Sequence, residues 1–258
     1  MRFLRAFLCA LIVAIPAGVS AAERDVPAVA AASDLKFALE EAAARFRDAT
    51  NRETRLVFGS SGNLYRQIQQ GAPFQLFMSA DESFVGKLAE SGKTVDRGAL
   101  YATGRIVLFA RKGSPLRVDA GLAGLKDAHA AGAIRRFAIA NPEHAPYGRA
   151  AEQALKRLGL WESLRSRLVL GENVSQAAQF AASGSAEGGV IAYSLALSPE
   201  LGKLGRFALI PENLHDPLRQ RMVLTKGARE TARAFYRYLQ EPAGRSIFKR
   251  HGFTLPGE

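Results

Sequence analysis

The feature that most constrains the fold of this 258-residue chain is a regular alternation of short apolar runs with helix-forming segments. Strand-like runs are predicted at residues 26–31, 54–58, 75–78, 105–110, 136–140, 168–170, 189–192, 206–210 and 219–224. Apolar residues at helical spacing predict helices between and after them, including 34–47, 149–158, 175–182, 228–240 and 243–251. This alternation indicates an α/β fold with mostly parallel sheets, in which ligands bind beyond the carboxyl ends of the strands.

The N-terminus has the pattern of an export signal. Arg2 and Arg5 precede an apolar run over 6–15, and small residues follow it. We therefore predict a secretory signal peptide over residues 1–22. The apolar run is too short for a comfortable membrane span, and no later window is apolar over the roughly 18 residues that a spanning helix needs.

The sequence contains one cysteine, Cys9, which lies inside the predicted signal peptide. The mature chain would therefore form no disulfide and no cysteine-based metal site, even in an oxidising compartment. A lipid-bearing cysteine would follow the apolar run, whereas Cys9 stands too early and a long apolar stretch follows it.

The remaining length, roughly 235 residues, suits two lobes with a cleft between them. No linker or internal repeat marks a boundary, so the lobes must share crossover strands, for which 105–111 and 219–225 are the best candidates. We predict that lobe I comprises residues 23–103 and 217–258, and that lobe II comprises residues 104–216.

The chain is basic, with 35 Lys and Arg against 24 Asp and Glu and a net charge of +11. Removal of Arg2 and Arg5 with the signal peptide leaves 33 minus 24, a charge of +9. A basic surface attracts anions of any kind. The basic residues are scattered and no nucleic-acid-binding signature is present, so we predict no nucleic-acid partner. A solvated basic face without a specific partner is the plainer interpretation of the charge.

Four predicted strand-to-helix junctions share one character: a hydroxyl, a capping side chain or a Pro-Tyr pair stands where a helix begins. The junction segments are AVAAASDL, RLVFGSSGNLYRQI, FAIANPEHAPYGRAAEQAL and GENVSQAAQF, the last with the Asn173-to-Gln176 spacing of a capping box. Helix starts leave backbone N–H groups unbonded and positively polarised, so junctions aimed at one point would hold an anion. The hydroxyls of Ser33, Ser61 and Tyr193 could add donors, as a buried dianion requires.

Each of these residues also has a purely structural interpretation. A serine or asparagine before a helix is most often only a cap. Val174 could be a core valine, Tyr147 a surface tyrosine, and Tyr193 a core residue at the end of a strand.

Five segments together resemble the periplasmic molybdate-binding proteins of bacterial ABC importers. They stand in the expected order and span nearly the whole mature chain: AAASDL, FGSSGNLYRQIQQGAPFQLFMSADE, IANPEHAPYGRAAEQALKRLGLW, LVLGENVSQAAQFAASG and IFKRHGFTLP. The resemblance implies a two-lobed type II binding-protein fold with mixed sheets flanked by helices. It also implies a periplasmic monomer that passes its ligand to a membrane permease.

In that family a molybdate or tungstate dianion is held by hydroxyls and backbone amides, so molybdenum binds only as its oxyanion and no cofactor is needed. The matching positions, carried over by motif, are Ser33, Ser61, Tyr147, Val174 and Tyr193. Ser60 adjoins Ser61, so which hydroxyl faces the ligand stays open. At position 147 the amide alone is needed, and one of the two tyrosines could be a lid.

Other functions stay open at this point. Sulfate or phosphate would suit a cage of donors equally, and only the resemblance selects molybdate. A secreted hydrolase is the rival class, but the chain lacks the usual catalytic motifs. His144 is the only histidine near a candidate junction, and we expect it to fix its loop rather than act as a base. A metal site is disfavoured because no histidines are four residues apart. Paired tyrosines leave a small possibility of iron binding.

Overall fold

The computed structural model describes residues 25–258, so the predicted signal peptide and Cys9 lie outside the described residues. The strands are β1 (Ala28–Ala32), β2 (Arg55–Gly59), β3 (Phe74–Ser79), β4 (Ala99–Gly104), β5 (Ile106–Arg111), β6 (Phe137–Ala140), β7 (Leu168–Gly171), β8 (Gly188–Ala192), β9 (Gly205–Leu209) and β10 (Leu218–Leu224).

The helices of the described residues are α1 (Lys36–Thr50), α2 (Ser61–Gln69), α3 (Glu82–Glu90), α4 (Ala123–Ala130), α5 (Pro146–Arg157), α6 (Trp161–Leu164), α7 (Val174–Ser183), α8 (Tyr193–Ala196), α9 (Pro199–Leu204), α10 (Glu230–Tyr238) and α11 (Pro242–Arg250). Short 3-10 turns occupy Ser33–Leu35, Arg165–Arg167 and Glu212–Leu214. In the part of the chain described, no helix is both long enough and apolar enough to cross a bilayer.

The strands form two five-stranded sheets, one in each lobe. The sheet of lobe I has the order β2-β1-β3-β10-β4, and the sheet of lobe II has the order β7-β6-β8-β5-β9. The predicted two-lobed α/β fold with mixed sheets is therefore confirmed. The expectation of mostly parallel sheets was too strong, because four of the eight neighbouring pairs are antiparallel. The antiparallel pairs all involve β5 or β10, the strands adjacent to the passages between the lobes.

The chain passes from the first sheet to the second at Arg105, between β4 and β5, and returns between β9 and β10. These passages are where we place the lobe boundaries, and the division into 23–103 plus 217–258 and 104–216 stays our prediction.

Helices pack on both faces of the parallel strands, so β1 consists of apolar residues only. All five residues of β1 are buried, as expected for a strand with helices on both sides. The helix α1 buries Ala38, Leu39, Ala42 and Phe46 on one face, at helical spacing. Apolar residues at this spacing are the signal that predicted a helix over 34–47.

The two lobes touch through apolar as well as polar groups. Ala32, Ala80 and Leu218 of lobe I belong to the buried cluster built mainly from lobe II. The carboxyl end of β1 and the start of β10 therefore pack directly against the second lobe, which brings the predicted junctions of the two lobes together.

Candidate functional site

The first junction joins the end of β1 to the start of α7 in the other lobe. Ser33 is buried, and its hydroxyl oxygen accepts the N–H of Ser175 at 3.3 Å. The hydroxyl of Ser175 donates in turn to the carbonyl of Ser33 at 2.9 Å. Neither the 3-10 turn nor α1 has a side-chain cap, so the capping role considered for Ser33 is wrong. As an acceptor toward Ser175, Ser33 keeps its own hydroxyl proton for another partner.

The start of α7 offers an unused backbone donor. The side chain of Asn173 accepts from the N–H groups of Ser175 and Gln176 at 3.0 and 3.1 Å, so Asn173 is a true cap. Gln176 does not complete the predicted capping box, because its side chain accepts the N–H of Glu172 instead, at 2.6 Å. In the described part of the chain, the N–H of Val174 has no acceptor.

Adjacent serines at the start of α2 face different partners. Ser61 is fully buried, and its oxygen accepts the N–H of Ala80 at 2.9 Å, which leaves its hydroxyl proton unused. The hydroxyl of Ser60 instead lies 2.9 Å from Nδ1 of His144 in lobe II. No side chain caps α2. Ser60 is thus paired with His144, whereas Ser61 keeps its hydroxyl proton for another partner.

Tyr147, near the start of α5, is buried rather than a surface residue. Its hydroxyl donates to Oδ2 of Asp34 across the lobes at 2.9 Å. Within residues 25–258 its backbone N–H has no acceptor. The ring reaches this place because Gly104 has no side chain: a Cβ there would lie 2.2 Å from the tyrosine hydroxyl. The hydroxyl is therefore already engaged, and the amide is what Tyr147 can offer a ligand.

Asp34 is the main residue of this region that the sequence analysis missed. Besides the bond from Tyr147, its Oδ2 accepts from the side-chain amide of Gln220 at 2.7 Å. The hydroxyl of Ser194 donates to its carbonyl at 2.8 Å. No described residue bonds to the buried Oδ1. Burial raises the pKa of Asp34 from 3.8 to about 6, although the bonds from Gln220 and Tyr147 favour its charged form.

A second tyrosine completes this buried network. Tyr101 of β4 donates to Oε1 of Gln220 at 2.7 Å. Burial, together with the nearby charge of Asp34, raises the pKa values of Tyr101 and Tyr147 well above 10. Both phenols therefore stay protonated and act as donors. The network links lobe I, a crossover strand and lobe II at the base of the junctions.

Tyr193 lies at the start of α8, and within residues 25–258 no hydrogen bond joins it to the other predicted residues. Its N–H donates to the carbonyl of Arg105 at 2.9 Å, and its ring packs edge-on against Phe207 with centroids 5.8 Å apart. The ring also lies close to Gly252, where a Cβ would stand 2.8 Å from it. Successive helical residues point in different directions, so Ser194, not Tyr193, reaches the buried network.

Four of the five predicted residues lie close together: Ser33, Ser61, Tyr147 and Val174. They are linked by hydrogen bonds that they or the residues adjacent to them in sequence make. Together they present two hydroxyl protons and two backbone N–H groups from both lobes. A set of fixed neutral donors suits an anion, since each donor replaces a water in its hydration shell. Among residues 25–258, no group of three His, Asp or Glu side chains could hold a metal ion.

Comparison with known proteins places the chain in a family. The family model for bacterial extracellular solute-binding proteins matches residues 27–254. The chain is 37% identical to the molybdate-binding protein ModA of Rhodobacter capsulatus over 254 residues, which cover 97% of this chain and 96% of that protein. It is 38% identical to the molybdate-binding protein ModA of Azotobacter vinelandii over 255 residues, covering 96% and 98%.

A solved structure agrees. The periplasmic molybdate-binding protein of Azotobacter vinelandii superposes with a TM-score of 0.81 at 33% identity, covering 89% of this chain and 99% of that one. These matches confirm the resemblance seen in the sequence, and they confirm a binding protein rather than an enzyme. The chain belongs to the family of bacterial extracellular solute-binding proteins, together with these molybdate-binding relatives.

Proposed function

We propose that this protein binds molybdate, and also tungstate, in the cleft between its lobes. The observation that carries the proposal is the set of unused donors at four junctions: the hydroxyls of Ser33 and Ser61 and the amides of Tyr147 and Val174. Both lobes contribute donors, so an anion between them would be completed by closure of the cleft. The relatives' names identify the anion as molybdate.

Tyr193 is supported as a ligand residue by the family motif alone. It remains a predicted ligand residue from the family motif, but its ring contacts support a position beside Phe207. We therefore rank Tyr193 below the other four residues.

We infer that selectivity rests on anion size. The metal–oxygen bonds of molybdate and tungstate are longer than the sulfur–oxygen bonds of sulfate, so donors spaced for the larger anions leave sulfate oxygens beyond hydrogen-bond range. Phosphate is disfavoured further, because its protonated form brings a donor to a site made of donors.

We also propose where the protein acts and what it delivers the anion to. A signal peptide over residues 1–22 would deliver the protein to the periplasm, where it would act as a monomer and hand the anion to the permease of an ABC importer. The names of the relatives support the importer role, and the N-terminal charge and apolar run support export.

The experiment is thermal unfolding of the purified mature protein, with molybdate, tungstate, sulfate and phosphate each added in turn. A ligand at 100 times its dissociation constant should stabilise the fold by about 2.7 kcal/mol. We expect a raised melting temperature with molybdate and tungstate alone. A rise with sulfate or phosphate would keep an oxyanion site but overturn its ligand, and no response to any anion would contradict the proposal.

A further inference from the structure

The loop between β6 and α5 of lobe II docks onto the start of α2 in lobe I. The N–H of Gly62 donates to the carbonyl of His144 at 2.9 Å, and the hydroxyl of Ser60 lies 2.9 Å from Nδ1 of the same residue. His144 is buried at this contact, with 8% of its surface exposed. The docking uses one of the free N–H groups of α2, which is then unavailable to an anion.

Glycine at position 62 is explained by this contact and not by the conformation of its helix. Glycine inside a helix is less favourable than alanine by about 1 kcal/mol. Its backbone is not in the left-handed region, so no turn requires it. A Cβ at this position would instead lie 2.6 Å from the carbonyl oxygen of His144. The absence of a side chain thus allows the lobe II loop to approach.

Glu172 adds a second connection at the same edge. The side chain of Asn63, on α2, donates to one oxygen of Glu172, and Nε2 of His144 lies 3.6 Å from the other. Asn63 also accepts from Arg66, which orients its amide. Glu172 is half-exposed, so this connection lies at the protein surface.

These five residues, Ser60, Gly62 and Asn63 of lobe I with His144 and Glu172 of lobe II, form what we call the latch. The order of hydroxyl, imidazole and carboxylate resembles a hydrolase site. However, the serine hydroxyl is buried against the imidazole, and the family consists of binding proteins.

We propose that the latch residues are positioning residues that set the rate at which a bound oxyanion leaves. This inference rests on the proposed function. Latch groups bond to one another, so they add no donor to the anion. An anion can enter before the latch forms, but it can leave only after the latch has broken. Loss of a latch contact should therefore raise the dissociation rate and leave the association rate almost unchanged.

The test loads the mature protein with radioactive molybdate and then chases it with excess unlabelled molybdate, with association followed separately. The variant Gly62→Ala adds only the methyl group that meets His144. Its matched control is Gly86→Ala in α3, where a Cβ would meet nothing within 4 Å. We expect Gly62→Ala to release label roughly five- to tenfold faster than wild type, as for loss of one to two neutral hydrogen bonds. Gly86→Ala should match wild type.

A second variant changes a residue that is not adjacent to Ser61 in the sequence. Glu172→Gln weakens the connection to Asn63 and His144, and Glu143→Gln removes one exposed charge from the docking loop without touching the latch. We expect faster release from Glu172→Gln only. Equal dissociation rates for Gly62→Ala, Glu172→Gln and wild type would overturn the latch. Wild-type protein that retains no label would instead overturn the proposed function.

Discussion

At the scale of single residues, the site depends on which polar groups already have partners. Ser60 and Ser61 are neighbours with the same side chain, yet Ser60 is committed to His144 and Ser61 accepts from a backbone amide. The second arrangement leaves a proton free. Tyr147 shows the same difference: its hydroxyl already donates to Asp34, whereas its backbone N–H has no acceptor within residues 25–258.

Replacing Ser61 by alanine should weaken molybdate binding by about ten- to a hundredfold, because a hydrogen bond to a charged group is lost. Isothermal titration calorimetry would measure the change. The matched control is Ser198→Ala, which removes another buried serine hydroxyl that accepts a backbone N–H, from Leu201 at 3.2 Å. That variant should bind as wild type does. Equal affinities for Ser61→Ala and Ser198→Ala would exclude Ser61 from the site.

Asp34 should make the protein less stable as the pH rises. Its pKa is about 6 in the folded state and 3.8 ordinarily. The folded chain therefore holds this proton more tightly than the unfolded chain does. The stabilisation is complete below pH 3.8 and is lost as the pH rises through about 6. The difference corresponds to about 3 kcal/mol.

Urea unfolding of wild type and Asp34→Asn at pH 4 and pH 8 would test this, because the comparison cancels the groups that both proteins share. We expect the free energy of unfolding of wild type, relative to the variant, to fall by about 2 to 3 kcal/mol between the two pH values. A difference that stays constant would show that the pKa of Asp34 is ordinary.

The sequence located the junctions but not the buried network beneath them. Helix starts after apolar strands point to Ser33, Ser61 and the cap Asn173, because that signal is local, whereas Val174 came from the family motif. Asp34 depends on contacts with residues more than 100 positions away. One local signal was available: Gln220 lies two residues from both Leu218 and Met222, which places a polar side chain on the same face of β10 as these apolar residues.

At the scale of elements, the start of α7 gives a test of backbone binding. Proline is well accepted at the first position of a helix, and the extended backbone of Asn173 suits the residue before it. Val174→Pro therefore removes the N–H while keeping the helix. It should lower molybdate affinity by about ten- to a hundredfold. Val174→Ala loses the packing of the side chain but keeps the N–H, so its affinity in calorimetry should stay close to wild type. Similar losses in both variants would mean that the side chain, not the amide, matters.

All nine predicted strands and the five predicted helices are present, with ends displaced by a few residues. The strand β4 was not predicted, because its apolar run, ALYA, is short, carries no β-branched residue and is followed by threonine and glycine. Its pairing with β10 and the bridge between Thr103 and Thr254 stabilise it, and both come from distant sequence. Such pairings are invisible to local periodicity.

At the scale of the whole molecule, the positive charge should accelerate capture. With a net charge of +11, or of +9 without Arg2 and Arg5 of the predicted signal peptide, the protein attracts a dianion before contact. Raising the ionic strength from 0.01 to 0.15 M shortens the screening length from about 30 to about 8 Å. The association rate of molybdate should fall several-fold, while the dissociation rate, set inside the cleft, should change little. Rapid-mixing kinetics at both salt concentrations would measure this, and a salt-independent association rate would contradict it.

The proposed oxyanion site is tested most directly by a crystal structure of the mature protein with tungstate, located by the anomalous scattering of tungsten. We expect one anion between the lobes, within hydrogen-bond distance of the Ser33 and Ser61 hydroxyls and the Tyr147 and Val174 amides. A tungstate bound elsewhere, or held by one lobe alone with the lobes in contact, would contradict it.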